Sequence, residues 1–387
     1  MEETSTNNPV RAGSETATTQ KLLELVRRFR IEGMPLKVTP IISGHINDSY
    51  LVSTIVRAGL EPAPTEYLLQ RINHGIFRDI PGLMNNIGIV TGHISQRIQA
   101  DPAAFGEMRA LELVPTVEGD PFYTDPQGNF WRVYHYIPGS LSYDRVPGTD
   151  LAYEGGKAFG KFQVLSAGID PGTLTITIPR FHDITWRLEQ FEDALHSDLM
   201  HRVAHVPDEI HCIRERAQEM HTINQLIESS LLPTRVTHND TKFNNILFNQ
   251  KNTAICIVDL DTVMPGTVLY DFGDAIRTGT NTADEDESNL EKVSLDMGLF
   301  EAYSRGFLET AGTSLTQIEL DHLAFSARFM TYIIGLRFLT DYLNGDTYYM
   351  IHRTGHNLQR ARCQFKLLSE MEKQTEIMER IIETSVA

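Results

Sequence analysis

The chain has 387 residues, 41% of them hydrophobic and 22% charged, which is enough for two ordinary globular domains or for two lobes sharing a cleft. Its formal net charge of −17 argues against a sizeable surface for nucleic acid or anionic lipid, since such surfaces neutralise phosphates with Lys and Arg. No stretch approaches the roughly 18 apolar residues of a membrane span, and the widely spaced Cys212, Cys256 and Cys363 form no CxxC or Cys/His cluster, which speaks against a disulfide frame or structural zinc and for a reducing compartment, the cytoplasm by default.

Residues 1–20, rich in Thr, Ser, Asn and Glu, lack both an apolar segment and Arg-rich amphipathicity and read as a disordered tail, not a targeting signal. From Lys21, KLLELVRRFRI carries apolar residues at helical spacing. VTPIIS, SYLVSTIV and EYLLQRI follow, rich in β-branched and aromatic residues between Gly, Asn and Pro, and predict an antiparallel meander. A helix is expected over Ile80–Gln99, then a strand in PFYTDPQGNFWRVYHYI with a turn at DPQG, and Pro138-Gly139 marks the expected lobe boundary. Beyond it, helices are predicted over Tyr153–Leu165, Ile184–Ala194, Pro207–Glu228, Leu290–Thr310, Gln317–Leu343 and His356–Thr384, with the acidic run Asp284–Glu287 starting a solvated helix. Two short apolar strands, NILFN and AICIVDLD, interrupt this half after the loop THNDTKFN. The pattern is an α+β, bilobal, protein-kinase-like plan: a small antiparallel-sheet lobe over 21–137 that binds nucleotide, and a large, mainly helical lobe over 138–387 that carries catalysis and substrate binding.

The chemistry concentrates in VTHNDTKFNNILF and CIVDLDTVMPG. They supply His238-x-Asp240, then Asn245, and Asp259 at the end of a strongly apolar strand that one hairpin returns to the loop. Phosphoryl transfer needs an acceptor-orienting carboxylate, oxygen ligands for magnesium and accurate placement. Asp240 is the expected acceptor-side base, and Asn245 and Asp259 the Mg2+ ligands, with Asp261 a further metal candidate. His238 is expected to fix the loop by hydrogen bonding. Taken singly, Asp and Asn before a strand are usually turn formers; it is their joint spacing in this context that points to a site.

The loop resembles the catalytic loop of the aminoglycoside phosphotransferase superfamily. More narrowly, VTHNDTKFNNIL, DLDTVMPG, YDFGDAIR, GLRFLTDYLNGDTYY and HNLQRARCQ are similar to the N-acetylhexosamine 1-kinases, over about Ile42 to Met371. The resemblance implies transfer of the ATP γ-phosphoryl group to the anomeric hydroxyl of N-acetylglucosamine or N-acetylgalactosamine. Asp271-Phe272-Gly273 spells the metal-binding triplet of protein kinases, but it lies 26 residues beyond Asn245, too far for one hairpin. Asp271, Asp274 and Arg277 are expected to cap a helix and brace the site.

Ser43–Tyr50 lies where a phosphate-covering loop belongs, with Gly44, His45 and Asn47 as its candidate contacts. The next strand carries Gln70 where kinases place a phosphate-pairing lysine, and the following helix lacks the glutamate that would hold it, so Arg71 is the substitute candidate even though it points to the opposite strand face. Tyr134 and Tyr136, on the strand leading to the expected hinge, are candidate adenine walls. For a sugar acceptor, Lys242, Arg337, Asp346 and Tyr348 are expected contacts, with His182, Asp183, Trp186 and Arg187 a second polar-aromatic cluster. Two rival readings are a kinase of another small alcohol, such as choline, homoserine, an aminoglycoside or methylthioribose, and a nucleotide-binding pseudokinase without activity.

Overall fold

A computed structural model describes residues 19–41, 46–56 and 63–386. They divide into two compact units, 19–91 with 110–140 and 92–109 with 141–386. The division at Ser140/Leu141 falls three residues beyond the Pro138 boundary read from sequence. Residues 92–109, assigned from sequence to the first lobe, go with the second unit because they bond to it: Arg97 and the His93 ring meet the Ala167 carbonyl at 3.0 and 3.1 Å, and the Arg109 N–H donates to the Ile255 carbonyl at 2.8 Å. The expected tail lies almost wholly outside the described residues, as do Gly44 and His45.

The first unit opens with helix α1 (19–26), shorter than the predicted run to Ile31. Phe29 leaves the helix to bridge Thr116, and Arg30 N–H donates to Pro115, so sheet pairing takes over from helix propensity. Strands β1 (Met34–Ile41), β2 (Asp48–Val56) and β3 (Ala63–Ile72) form the meander, helix α2 (Ile80–Ala100) follows, and the sheet is completed by β4 (Leu113–Val114), β5 (Tyr123–Thr124) and β6 (Phe130–His135) in the order β1-β2-β3-β6-β4, with β5 also on β6. Alternation along the strands buries Val52, Tyr67, Leu69, Trp131 and Val133 against Leu22, Val26 and Phe29. The register sets Ser49 opposite Gln70 and Gln70 opposite Arg132, on the other face.

The second unit begins, after the last part of α2, with the single turn α3 (Pro102–Phe105), then α4 (Thr149–Ser166), α5 (Ile184–Ser197), α6 (Pro207–Met220) and α7 (Thr222–Glu228), the last two a single predicted helix broken at His221. Three hairpin pieces follow: β7 (Arg235–Thr237), β8 (Ile246–Phe248) paired with β9 (Ala254–Ile257), and β10 (Met264–Gly266), which returns to β7. Helices α8 (Val268–Gly279), α9 (Met297–Ala311), α10 (Gln317–Asp321), α11 (Leu323–Leu343), α12 (His356–Lys373) and α13 (Thr375–Val386) complete it.

The acidic run is not a helix start. Asp284 pairs with Arg145 at 3.0 Å, Glu285 with Arg277 at 2.8 Å and Glu287 with Lys292 at 3.2 Å, and α9 begins only at Met297, behind an Asp296 cap. Helix α11 is apolar almost all round and buried along most of its length, as such a helix must be in water. Among the described residues no helix is long and apolar enough to cross a membrane. Helices α4 and α9 meet backbone to backbone: a Cβ on Gly156 would fall inside 3.0 Å of the Tyr303 carbonyl oxygen, and one on Gly306 inside 3.0 Å of the Tyr153 carbonyl oxygen and carbon.

Candidate functional site

The loop after β7 is held from three sides. His238, fully buried, sits edge-on to Phe159 and Phe162 of α4, with ring centroids at 5.6 and 5.7 Å. Its Nδ1 accepts from the Asp240 N–H at 3.3 Å, so its Nε2 carries the proton and donates to the Val258 carbonyl at 2.9 Å. The expected fixing role is what this geometry describes. Asn239 adopts a left-handed φ of 63°, which Asn tolerates, while its amide donates to Thr237 and to the Thr262 carbonyl.

Helix α8 supplies the second support. Asp271 accepts from the N–H of His238 at 2.9 Å, that of Asn239 at 2.7 Å, and the Gln163 amide at 2.8 Å; Asp274 accepts from the Thr241 N–H at 3.2 Å. Arg277, buried, bonds Asp274 at 2.8 Å and Glu285 at 2.8 Å. Spaced three apart, these side chains share one helix face turned to the loop. Thr267, not Asp271, caps the helix. The protein-kinase triplet is therefore spent on bracing, and Asp271 pays a burial penalty that pushes its pKa up to about 6 despite its backbone donors.

The third support is the β8–β9 hairpin, turned at Asn249–Asn252. The Val258 N–H donates to the Asn245 carbonyl at 2.9 Å, and Asn245 in turn donates its amide to the Asp240 carbonyl at 2.8 Å. Asp259, exposed and in a left-handed conformation with φ 60°, directly follows Val258, one residue along the chain from the contact with Asn245. Asp261 is buried, and its carbonyl accepts from Thr177 at 3.3 Å. Lys242 bonds the Asp240 carboxylate at 3.0 Å. Burial alone would raise the Asp240 pKa, but Lys242, by its charge and its hydrogen bond, holds it below the usual carboxylate range; the Asp240 charge in turn raises that of Lys242.

The other expected contacts divide. Arg337 on α11 lies 5.8 Å from the Tyr348 ring and 3.5 Å from its hydroxyl. Asp346 does not stand open with them: its carboxylate, nearly buried, takes Arg202 at 2.7 Å and the Asn357 amide at 3.0 Å, which locks the loop after α11. Asp183 caps α5 at the Trp186 N–H. In the first unit Arg71 pairs with Asp48 across β2–β3, so the guanidinium proposed as the lysine substitute is engaged at the exposed end of two interior strands. Asn47 accepts from the Asn73 N–H at 3.0 Å, Tyr134 is buried, and the Tyr136 N–H donates to the Glu66 carbonyl. Gln70 donates to Ser49 at 3.0 Å and accepts from the Arg132 Nε at 3.0 Å, with that guanidinium 5.2 Å from the Tyr134 ring. Sequence reasoning passed over Arg132, although strand alternation with Trp131 and Val133 in the core puts it on the face of Gln70 and Tyr134.

A buttressed loop that carries Asp240 and Asn245, and a hairpin that ends at Asp259, lie within the stretch that a family profile matches. The chain belongs to the phosphotransferase enzyme family, whose sequence profile matches residues 37–312, more than half of it. Solved structures agree in fold. An aminoglycoside phosphotransferase from Alicyclobacillus acidocaldarius is 10% identical with a TM-score of 0.56, covering 97% of this chain and 98% of that one. A spectinomycin phosphotransferase with ADP and spectinomycin bound is 12% identical with a TM-score of 0.58, covering 92% and 98%. A choline kinase from Cryptosporidium parvum is 13% identical, also at 0.58, covering 94% and 97%.

Proposed function

We propose that the chain transfers the γ-phosphoryl group of ATP to the anomeric hydroxyl of an N-acetylhexosamine, with Asp240 orienting that hydroxyl and taking its proton. The observation that carries this reading is the loop around Asp240. His238, Asp271 and Asp274 fix its backbone, leaving a carboxylate that stays ionised at neutral pH beside Lys242. An anomeric hydroxyl is more acidic than an ordinary alcohol, so a weakly basic carboxylate suffices late in a loose transition state.

The donor set fits magnesium. Asn245 commits its amide nitrogen to Asp240, which leaves its oxygen as the donor, and Asp259 adds a carboxylate. Magnesium takes one or two protein oxygens and completes its shell with phosphates and water. Such an ion, when bound, would neutralise phosphate charge; Asn245 and Asp259 would hold it, with Asp261 behind them. In the first unit the positive charge on the face of Gln70 and Tyr134 is that of Arg132.

The acceptor side favours a neutral sugar over a cationic alcohol such as choline or an aminoglycoside, because Arg337 and Arg187 have no carboxylate partner among the described residues and would repel an ammonium group. Tyr348 offers the aromatic face and Arg337 the donors that sugar oxygens need. Magnesium-dependent ATP turnover with N-acetylglucosamine, N-acetylgalactosamine, glucosamine, galactose and choline, with phosphorus NMR of the product, tests this. An ester at C1 of the N-acetylated sugars is expected; turnover of choline alone, or ATP binding with no turnover of any acceptor, would sink it.

A further inference from the structure

Several buried or half-buried arginines of the second unit meet carboxylates: Arg277 meets Asp274 and Glu285, Arg216 meets Glu372 at 2.6 Å, Arg235 meets Glu319 at 2.6 Å, and Arg202 meets Asp346. Buried Arg337 and half-buried Arg187 do not, and they lie together. Arg337, 8% exposed, lies 4.8 Å from the Phe181 ring and 5.6 Å from the Tyr349 ring, which are neutral walls. Arg187 on α5 donates to the Phe181 carbonyl at 3.1 Å and to Gln190 at 3.0 Å, lies 4.5 Å from the Trp186 ring, and keeps a buried Nε without a partner.

Beside them His182, 4% exposed, is held between Phe181 and Tyr270 at 4.3 and 4.8 Å, with the Asn239 backbone beside its ring and no hydrogen bond of good geometry at either ring nitrogen. The three feel one another. Burial first, then Arg337 and Arg187, pushes His182 well below its ordinary pKa, so the ring is neutral and offers one N–H. Burial and the Arg337 charge bring Arg187 down to about 10. Nearby carboxylates are occupied: Asp183 caps α5 and accepts from Asn224, while Asp341 is filled by the N–H groups of Thr347, Tyr348 and Tyr349 and the Asn357 amide. Two like charges, one buried and one half-buried, beside donors poorly matched are costly unless an anion completes them.

We propose that Arg187, Arg337 and His182 form a subsite for an oxyanion, either a carboxylate carried by the acceptor, as on a hexuronic acid, or a free tetrahedral anion. Planar guanidinium forks match such oxygens, and the acetamide oxygen of an N-acetylhexosamine is a neutral counterpart. The inference goes beyond the sugar-kinase reading and stands on the second unit alone.

Titration calorimetry of the full chain without ATP tests it, using sulfate, glucuronate and glucose at ionic strength matched with chloride. Saturable binding of sulfate or glucuronate is expected, weakened roughly ten- to a hundredfold in Arg187→Gln and Arg337→Gln, the span of one charge-assisted hydrogen bond. Glucuronate tighter than both sulfate and glucose assigns the anion to the acceptor; sulfate tighter than glucuronate assigns it to a free ion. Circular dichroism checks that the variants fold, and 15N-histidine NMR of the unaltered chain must show the His182 ring moving with sulfate. Binding that does not saturate, that the substitutions leave unchanged, or that leaves His182 unmoved overturns the proposal. Failure to turn over N-acetylglucosamine would not, since no nucleotide is present.

Discussion

Lys242 sets how acidic Asp240 is, and replacing it with Met tests whether the reaction needs that carboxylate ionised. The Nζ lies 3.0 Å from the carboxylate, on a lysine side chain 42% exposed beside an aspartate side chain 19% exposed. With water-like screening, two unit charges at that separation attract by about 1.4 kcal/mol, a tenfold change in proton affinity, and by several times more at the screening of a protein surface. Because Lys242 is well exposed, the lower figure governs. Burial pushes the Asp240 pKa up and Lys242 is the first of the charges holding it down, so Lys242→Met must raise it. A base is lost as pH falls through its own pKa; hence the acid limb of kcat against pH should move upward by about one pH unit in Lys242→Met. Initial rates of ATP turnover at saturating acceptor between pH 3 and 7 measure it. An acid limb that stays in place, or moves down, would show that Asp240 is not the group whose ionisation the rate follows.

Asp259→Asn should lower magnesium-dependent turnover by at least about a hundredfold, the scale of removing one group that stabilises transition-state charge; urea denaturation should shift by less than about 0.5 kcal/mol, since Asn keeps the left-handed backbone at an exposed position. Gly306→Ala should destabilise the chain by about 2 kcal/mol in the same assay: its Cβ meets α4 backbone, an overpacking cost of about 1–3 kcal/mol or more that a helix-propensity gain of about 1 kcal/mol does not offset, and unchanged stability would contradict the packing. Asp271, with a folded pKa of about 6 against roughly 3.9 unfolded, binds its proton more tightly when folded. Its contribution is therefore fully present below about pH 4 and lost as pH rises through 6, so the stability of the parent chain relative to Asp271→Asn should fall by roughly 2–3 kcal/mol from pH 4 to 7; parallel stability curves would refute that.

What the sequence made legible was periodic or local. The meander, the β8–β9 hairpin and the long helices follow from alternation, turn residues and 3.6-residue spacing, and the hairpin returns Val258 to Asn245. What it hid was decided by partners distant in the chain. ADEDESNLEK reads as a helix start until Arg145, Arg277 and Lys292 take its carboxylates. Arg71 reads as a phosphate contact until Asp48, opposite it on β2, engages it. Asp346 reads as a substrate ligand until Arg202 and Asn357 close on it. Arg132 escapes notice for the converse reason: a single arginine between core residues carries no motif, and only the register of β3 and β6 puts it on Gln70.

Asp271 and Asp259 stand in opposite surroundings, and the metal role we propose for Asp259 is one that Asp271 could not perform. A loop that must hold Asp240 in place needs acceptors for the N–H groups of His238, Asn239 and Thr241, which no strand or helix satisfies, and buried carboxylates on α8 supply them at the cost of desolvation. A carboxylate so used has its oxygens directed into the loop and held there. A metal ligand needs the reverse, an oxygen reachable from solvent on backbone that does not yield, and Asp259 has that exposure, with its neighbour Val258 tied at both its N–H and its carbonyl. Geometry, not the letters Asp-Phe-Gly, therefore rules Asp271 out of the metal role we propose for Asp259: the triplet lies inside α8, where helix periodicity turns Asp271, Asp274 and Arg277 together onto the loop.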